Sequence, residues 1–191
     1  MGLFDDNYDL PESGGSNLFA KLENGENRFR VLEKPTYGFV HWQNQKPTRY
    51  KAKSDVPSSA KDVKHFWFFP VWMYDKKAKT GSVKFLDISQ KTIIRELYAF
   101  DQNEDWGDLN HYDIIIYKDG EGMETSYRAM PVPKSDMPKD AAKAWEAMKD
   151  NYMPEELFKE DGSVYSEDNS VEDSDKEEDS DKEDDDDGLP F

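Results

Sequence analysis

From Asn27 the chain carries a period-two pattern, with Arg28 and Arg30 alternating with Phe29 and Val31 as on a half-buried strand. Pro35 breaks this run, and YGFVHW, with Gly38 just inside it, resumes an extended pattern. Residues 43–63 are polar, contain Pro47, Pro57 and Ser58-Ser59, and read as a mobile basic loop. In KHFWFFPVWMY, Phe66, Phe68, Trp72 and Tyr74 fall on one face of a strand and Trp67, Phe69, Val71 and Met73 on the other, so both faces are apolar. The Lys- and Gly-rich turn DKKAKTGS joins it to SVKFLDIS as a hairpin. Ser89 then predicts the N-cap of a helix over QKTIIRELYAF, where Ile93, Ile94, Leu97 and Phe100 recur at helical spacing. Two β-rich runs around Gly120 and Gly122 form a second hairpin. DAAKAWEAMKD follows as a short amphipathic helix with Ala142, Trp145 and Met148 on one stripe.

This order predicts a mainly β fold: a small closed antiparallel β-barrel of the OB type, with one or two short helices and disordered termini. A β-sandwich would not need a helix between its hairpins. Residues 1–24 read as a flexible N-terminal arm from which Leu18-Phe19 and Leu22 dock on the domain. Residues 25–158 form the domain, and 159–191 a disordered acidic tail.

Charge sharpens that division. The 191 residues carry a formal charge of −17, but Glu160 to Phe191 alone holds 16 acids and 2 bases. Between Arg28 and Arg95 there are 15 bases and 5 acids, net +10, so a basic middle is tethered to an acidic end. Cysteine is absent, which excludes disulfides, thiol nucleophiles and thiolate metal sites. His41, His65 and His111 have no metal-ligand spacing, and Asp101, Asn103, Asp105 and Gly107 only faintly resemble a calcium loop, with Trp106 where glycine is needed. No resident metal or cofactor is expected, nor any membrane span, because Phe66 to Tyr74 falls far short of ~20 residues.

The basic segment also holds twelve aromatic residues. Cations interleaved with rings suit single-stranded nucleic acid, because unstacked bases lie on rings while phosphates meet Lys and Arg. Duplex DNA hides its base faces. The candidate stacking rings are Tyr37, Trp42, Tyr50, Phe66, Phe68 and Trp72, each with the competing reading of a core side chain. The candidate phosphate ligands are Arg28, Arg30, Arg49, Lys51, Lys53, Lys64, Lys84 and Lys91. At the end of the chain, Asp184, Asp185, Asp186 and Asp187 precede Leu189, Pro190 and Phe191, an acidic run with an apolar anchor that suits an apolar pocket rimmed by basic residues.

KLENGENRFRVLEKPTYGFVHW, KHFWFFPVWMYDKKAKTGSVKFLDISQKTI and WGDLNHYDIIIYKDGEGMETSYRAMP resemble the single-stranded DNA-binding proteins of tailed bacteriophages over roughly residues 20–158. The ending DDDDGLPF is similar to the acidic tips of such proteins. The resemblance implies an OB-fold that coats single strands during replication, recombination and repair in the cytoplasm of an infected bacterium. It also implies a tip that recruits replication or recombination enzymes such as a polymerase, helicase, primase or nuclease. One branch of those relatives carries zinc, and the lack of cysteine departs from it. Self-association stays open. Two other readings compete: an acidic DNA mimic, which the +10 middle disfavours, and a metal-dependent enzyme of nucleic-acid metabolism, which lacks an ordered acidic centre.

Overall fold

The computed structural model describes residues 18–77 and 80–167. The chain forms strands β1 (Gly25–Val31), β2 (Thr36–Gln43), β3 (Lys46–Tyr50), β4 (Lys64–Tyr74), β5 (Gly81–Ile88), β6 (Asp113–Asp119) and β7 (Ser126–Pro131). The two amphipathic runs become helices α1 (Lys91–Asp101) and α2 (Lys139–Met148). No helix among the described residues is long and apolar enough to cross a membrane.

All seven strands join one antiparallel sheet in the order β3-β2-β4-β1-β6-β7, with β5 on the other edge of β4. The arrangement is OB-like, with α1 between the β4–β5 and β6–β7 hairpins. The expected closure does not occur, because no ladder joins β5 to β7 among the described residues. Instead Leu18–Ala20 lies parallel against β5, with the Ala20 N–H donating to the Phe85 carbonyl (2.9 Å) and the Phe85 N–H to the Leu18 carbonyl (2.7 Å). On β7 the Ala129 N–H donates to Oε2 of Glu96 from α1 (2.5 Å).

Strand β4 organises the molecule because it is long and apolar on both faces. On one edge it pairs with β2 through Lys64–Phe68 and with β1 through Val71–Met73; on the other it pairs with β5. Its Phe69 and Val71 point into the barrel, where Phe29, Val31, Leu86, Ile88, Ile114 and Ile116 meet Ile93 and Leu97 of α1. Its Phe66, Phe68 and Trp72 point the other way, into a second core with Val40, Val83 and Phe85, roofed by Ala141 and Trp145 of α2 and by Tyr152, Leu157 and Val164. Burying this second apolar face draws the chain after α2 across the sheet.

Two sequence boundaries shift as a result. Residues 46–50, read as loop, are the edge strand β3. Pro47 is tolerated there because an edge strand is bonded on one side only, and the left-handed backbone of Asn44 (φ 51°) and Gln45 (φ 65°) makes the tight hairpin turn. The folded unit also continues past residue 158, since Val164 is buried and Tyr165 bridges Tyr152. Helix α1 starts after Gln90, whose Oε1 accepts the Ser89 N–H, so Ser89 is not its cap.

Candidate nucleic-acid interface

Where β2 runs beyond the barrel with β3 and the start of β4, its alternation places Tyr37, Phe39 and His41 on one face. Phe39 stands opposite Tyr50 of β3 and His65 of β4, and Tyr37 opposite Trp67. The rings form a row: Tyr37 and His65 have centroids 6.2 Å apart, Phe39 and His65 5.3 Å, and His41 and Tyr50 5.7 Å with planes only 9° apart. Tyr37 is 63% and Trp42 58% exposed, far above what a core ring shows. A groove of about 570 Å³ opens beside them, lined on the hairpin by His41, Trp42, Gln43, Thr48 and Tyr50, and on the following loop by Pro57, Ser59, Ala60, Lys61 and Asp62.

Around the groove the cations divide in two. Lys53, Lys61 and Lys64 are exposed and have no ion-pair partner among the described residues. The others are engaged. Lys51 pairs with Glu155 and lies over the Phe158 ring (5.3 Å), and Lys46 reaches Glu160 at 3.8 Å. Arg49 bonds Asp87 (2.5 Å) and sits over Phe66 (5.3 Å). Burial raises the Asp87 carboxyl above the ordinary aspartate value, against the opposing pull of Arg49. Both lysine pairs are solvent-exposed, so they hold weakly and a phosphate can replace the carboxylate.

Of the six predicted stacking rings, the structure brings Tyr50 to the groove and Tyr37 to the same face of the hairpin, while Trp42 borders the groove from the opposite face of β2. Phe66, Phe68 and Trp72 are corrections: all three are buried in the second core, because α2 and residues 152–164 cover the face they occupy. Phe69, their neighbour on the opposite face, is buried as well.

Of the predicted phosphate ligands, Arg30 is also a correction. It is 1% exposed, with Nε on Asp113 Oδ1 (2.7 Å), Nη1 on the Ser135 carbonyl (3.0 Å) and Nη2 on Ser135 Oγ (2.7 Å). Arg28 shares the same carboxylate through Oδ2 (2.6 Å) and lies over the Tyr74 ring at 5.3 Å, its side chain half-exposed. Lys84 is half-buried opposite Val71 on β5, several residues along the ladder from the hairpin, and Lys91 opens α1. Neither joins the groove. Asp184 to Asp187 and Leu189 to Phe191 lie outside the described residues.

Sequence reasoning missed Phe39, His41, Thr48, Lys61, His65 and Asp62 as parts of one surface. The available signal was the alternation resuming after Asn44-Gln45, where Thr48 and Tyr50 continue the face of His41 and Phe39. Among the described residues no three His, Asp or Glu side chains are placed to hold a metal ion. Comparisons with protein-family models, curated proteins and solved structures find no match to this chain.

Proposed function

We propose that this chain is a non-enzymatic single-stranded DNA-binding protein of the bacteriophage kind, coating and protecting single strands in replication, recombination and repair. One observation carries the reading: an uncovered aromatic hairpin face and its groove are flanked by lysines with no ion-pair partner among the described residues, and Tyr37 and Trp42 are more than half exposed. Bases stack on such rings without regard to sequence, and the lysines meet the backbone. In this reading the acidic tip of Asp184 to Asp187, Leu189, Pro190 and Phe191 recruits replication or recombination enzymes in the host cytoplasm. The same charges make the tail a rival of DNA, and the reach of Glu160, at the start of the acidic segment, to Lys46 supports that rivalry.

A gel shift with a labelled oligonucleotide, run with and without magnesium, tests the reading. Retention of an intact strand in both supports it. A protein that leaves the strand unbound behaves as a mimic, and magnesium-dependent cleavage makes it an enzyme. Truncation after Glu167, which spares the packed Val164 and Tyr165, should tighten DNA binding most at low salt. Deleting only Pro190-Phe191 should leave DNA affinity in place and remove partner capture.

A further inference from the structure

The groove beside the hairpin contains one residue that a surface built only for phosphates would avoid. Asp62 lines it among Lys61, Ser59, Thr48 and Gln43. Among the described residues its carboxylate accepts no hydrogen bond and joins no ion pair. Asp55, the other acid of this loop, differs: it closes the short turn over Lys53–Asp55 by accepting the Ala52 N–H (3.4 Å). A carboxylate beside a bound strand repels phosphates, and donors presented by the strand offset that cost. The donors on single-stranded DNA are on the base edges, which are exposed once bases unstack.

We infer that the groove takes one base and that Asp62 biases it toward guanine. The inference rests on the single-stranded DNA reading above. A volume near 570 Å³ falls within the roughly 300–1,000 Å³ of small-molecule clefts, and His41 and Tyr50, on one face of the hairpin, line it with rings. The four bases differ in what they offer a carboxylate. Guanine presents N1–H and N2–H side by side, matching the two oxygens of one carboxylate as a bidentate pair. Adenine and cytosine place a single amino group beside a ring-nitrogen lone pair that the carboxylate repels. Thymine has one N–H between two carbonyls. The Asp62 backbone is left-handed (φ 53°), a conformation that Asp and Asn both accept, so Asp62→Asn removes the charge without disturbing the loop.

The test compares three twelve-nucleotide strands by fluorescence anisotropy: all thymine, the same with one central guanine, and the same with one central inosine, which keeps N1–H and lacks the amino group. The wild-type protein should bind the guanine strand about tenfold more tightly than the thymine strand, with inosine between them. Asp62→Asn should reduce the guanine preference below about twofold and tighten binding to all-thymine by removing the repulsion. Equal wild-type affinity for the guanine and thymine strands overturns the inference, as does a preference that survives in Asp62→Asn. Failure of the wild-type protein to bind any of the three removes the single-stranded DNA reading itself, and this inference with it.

Discussion

The two aromatic surfaces that share strand β4 have opposite fates. Behind the sheet, Phe66, Phe68, Trp72 and Phe85 meet Trp145, Tyr152, Leu157 and Val164 and form a core. Beyond the barrel, Tyr37, Phe39, His41, Tyr50 and His65 make an equally aromatic row, yet no helix among the described residues is laid over it, and Tyr37 stays in water. Ring content alone therefore does not mark a binding face. The discriminating feature is whether the chain supplies a cover, and the cover here is drawn from residues about seventy to a hundred positions downstream of the strand it hides.

The sharpest way to break the contrast is to truncate one ring on each side. Phe68→Ala should cost about 3–5 kcal/mol of stability, read as a lower urea midpoint, with no selective loss of DNA binding in the molecules that fold. Asp113→Asn should be of similar size, about 3–5 kcal/mol, because it leaves the buried Arg30 guanidinium without its counter-charge; an unchanged midpoint would show that Ser135 suffices. Tyr37→Ala should do the reverse of Phe68→Ala, weakening oligonucleotide binding by about 1–3 kcal/mol while the midpoint stays in place.

Alkaline titration reports on the covered side. Burial pushes the Tyr152 phenol up to about 12, whereas an unfolded tyrosine ionises near 10. Between these values the unfolded state has lost the proton that the folded state keeps, so stability is unaffected below about pH 10 and falls from there to about pH 12. Tyr152→Phe should remove part of that fall, by at most about 1.4 kcal/mol per pH unit, seen in urea midpoints measured at pH 9 and pH 11. The smallest effect belongs to the cations of the open side. If three to five of Lys46, Lys51, Lys53, Lys61 and Lys64 meet phosphates, log affinity should fall with log salt at a slope of about −2 to −3.5. Lys64→Gln should reduce the slope by about 0.7, and Lys91→Gln, away from the groove, should leave it unchanged.

Much of the fold is legible in the sequence because alternation and helical spacing are local. Both apolar faces of β4, both hairpins and both helices follow from residues a few positions apart. What opposes each face is not local: the pattern marks Phe66 and Phe68 as facing one way but carries no information that Val164 arrives there. Strand β3 is obscured because an edge strand needs no second apolar face, so Pro47 and its lysines read as loop. Arg30 is misplaced for a similar reason, since alternation sets it beside Arg28 on the solvent face. Asp113, at the head of an apolar run, draws it inward. On the candidate site, the basic and aromatic character is legible, whereas the pairing of His41 with Tyr50 across the hairpin depends on the turn at Asn44-Gln45.

The unclosed barrel has a further consequence for crowded conditions. A sheet that stops short of closing leaves the rims of β5 and β7, besides the edge strand β3, able to template strands from other molecules, the usual route to β-aggregation. Here a glutamate from α1 occupies the Ala129 amide on one rim, and three residues ahead of β1 occupy Phe85 on the other. Copies crowded side by side would find those two positions already taken, which leaves β3, with Pro47 in it, as the edge still open to a neighbour. Losing Glu96 would return one of those rims to the solvent as a nucleus for fibrils.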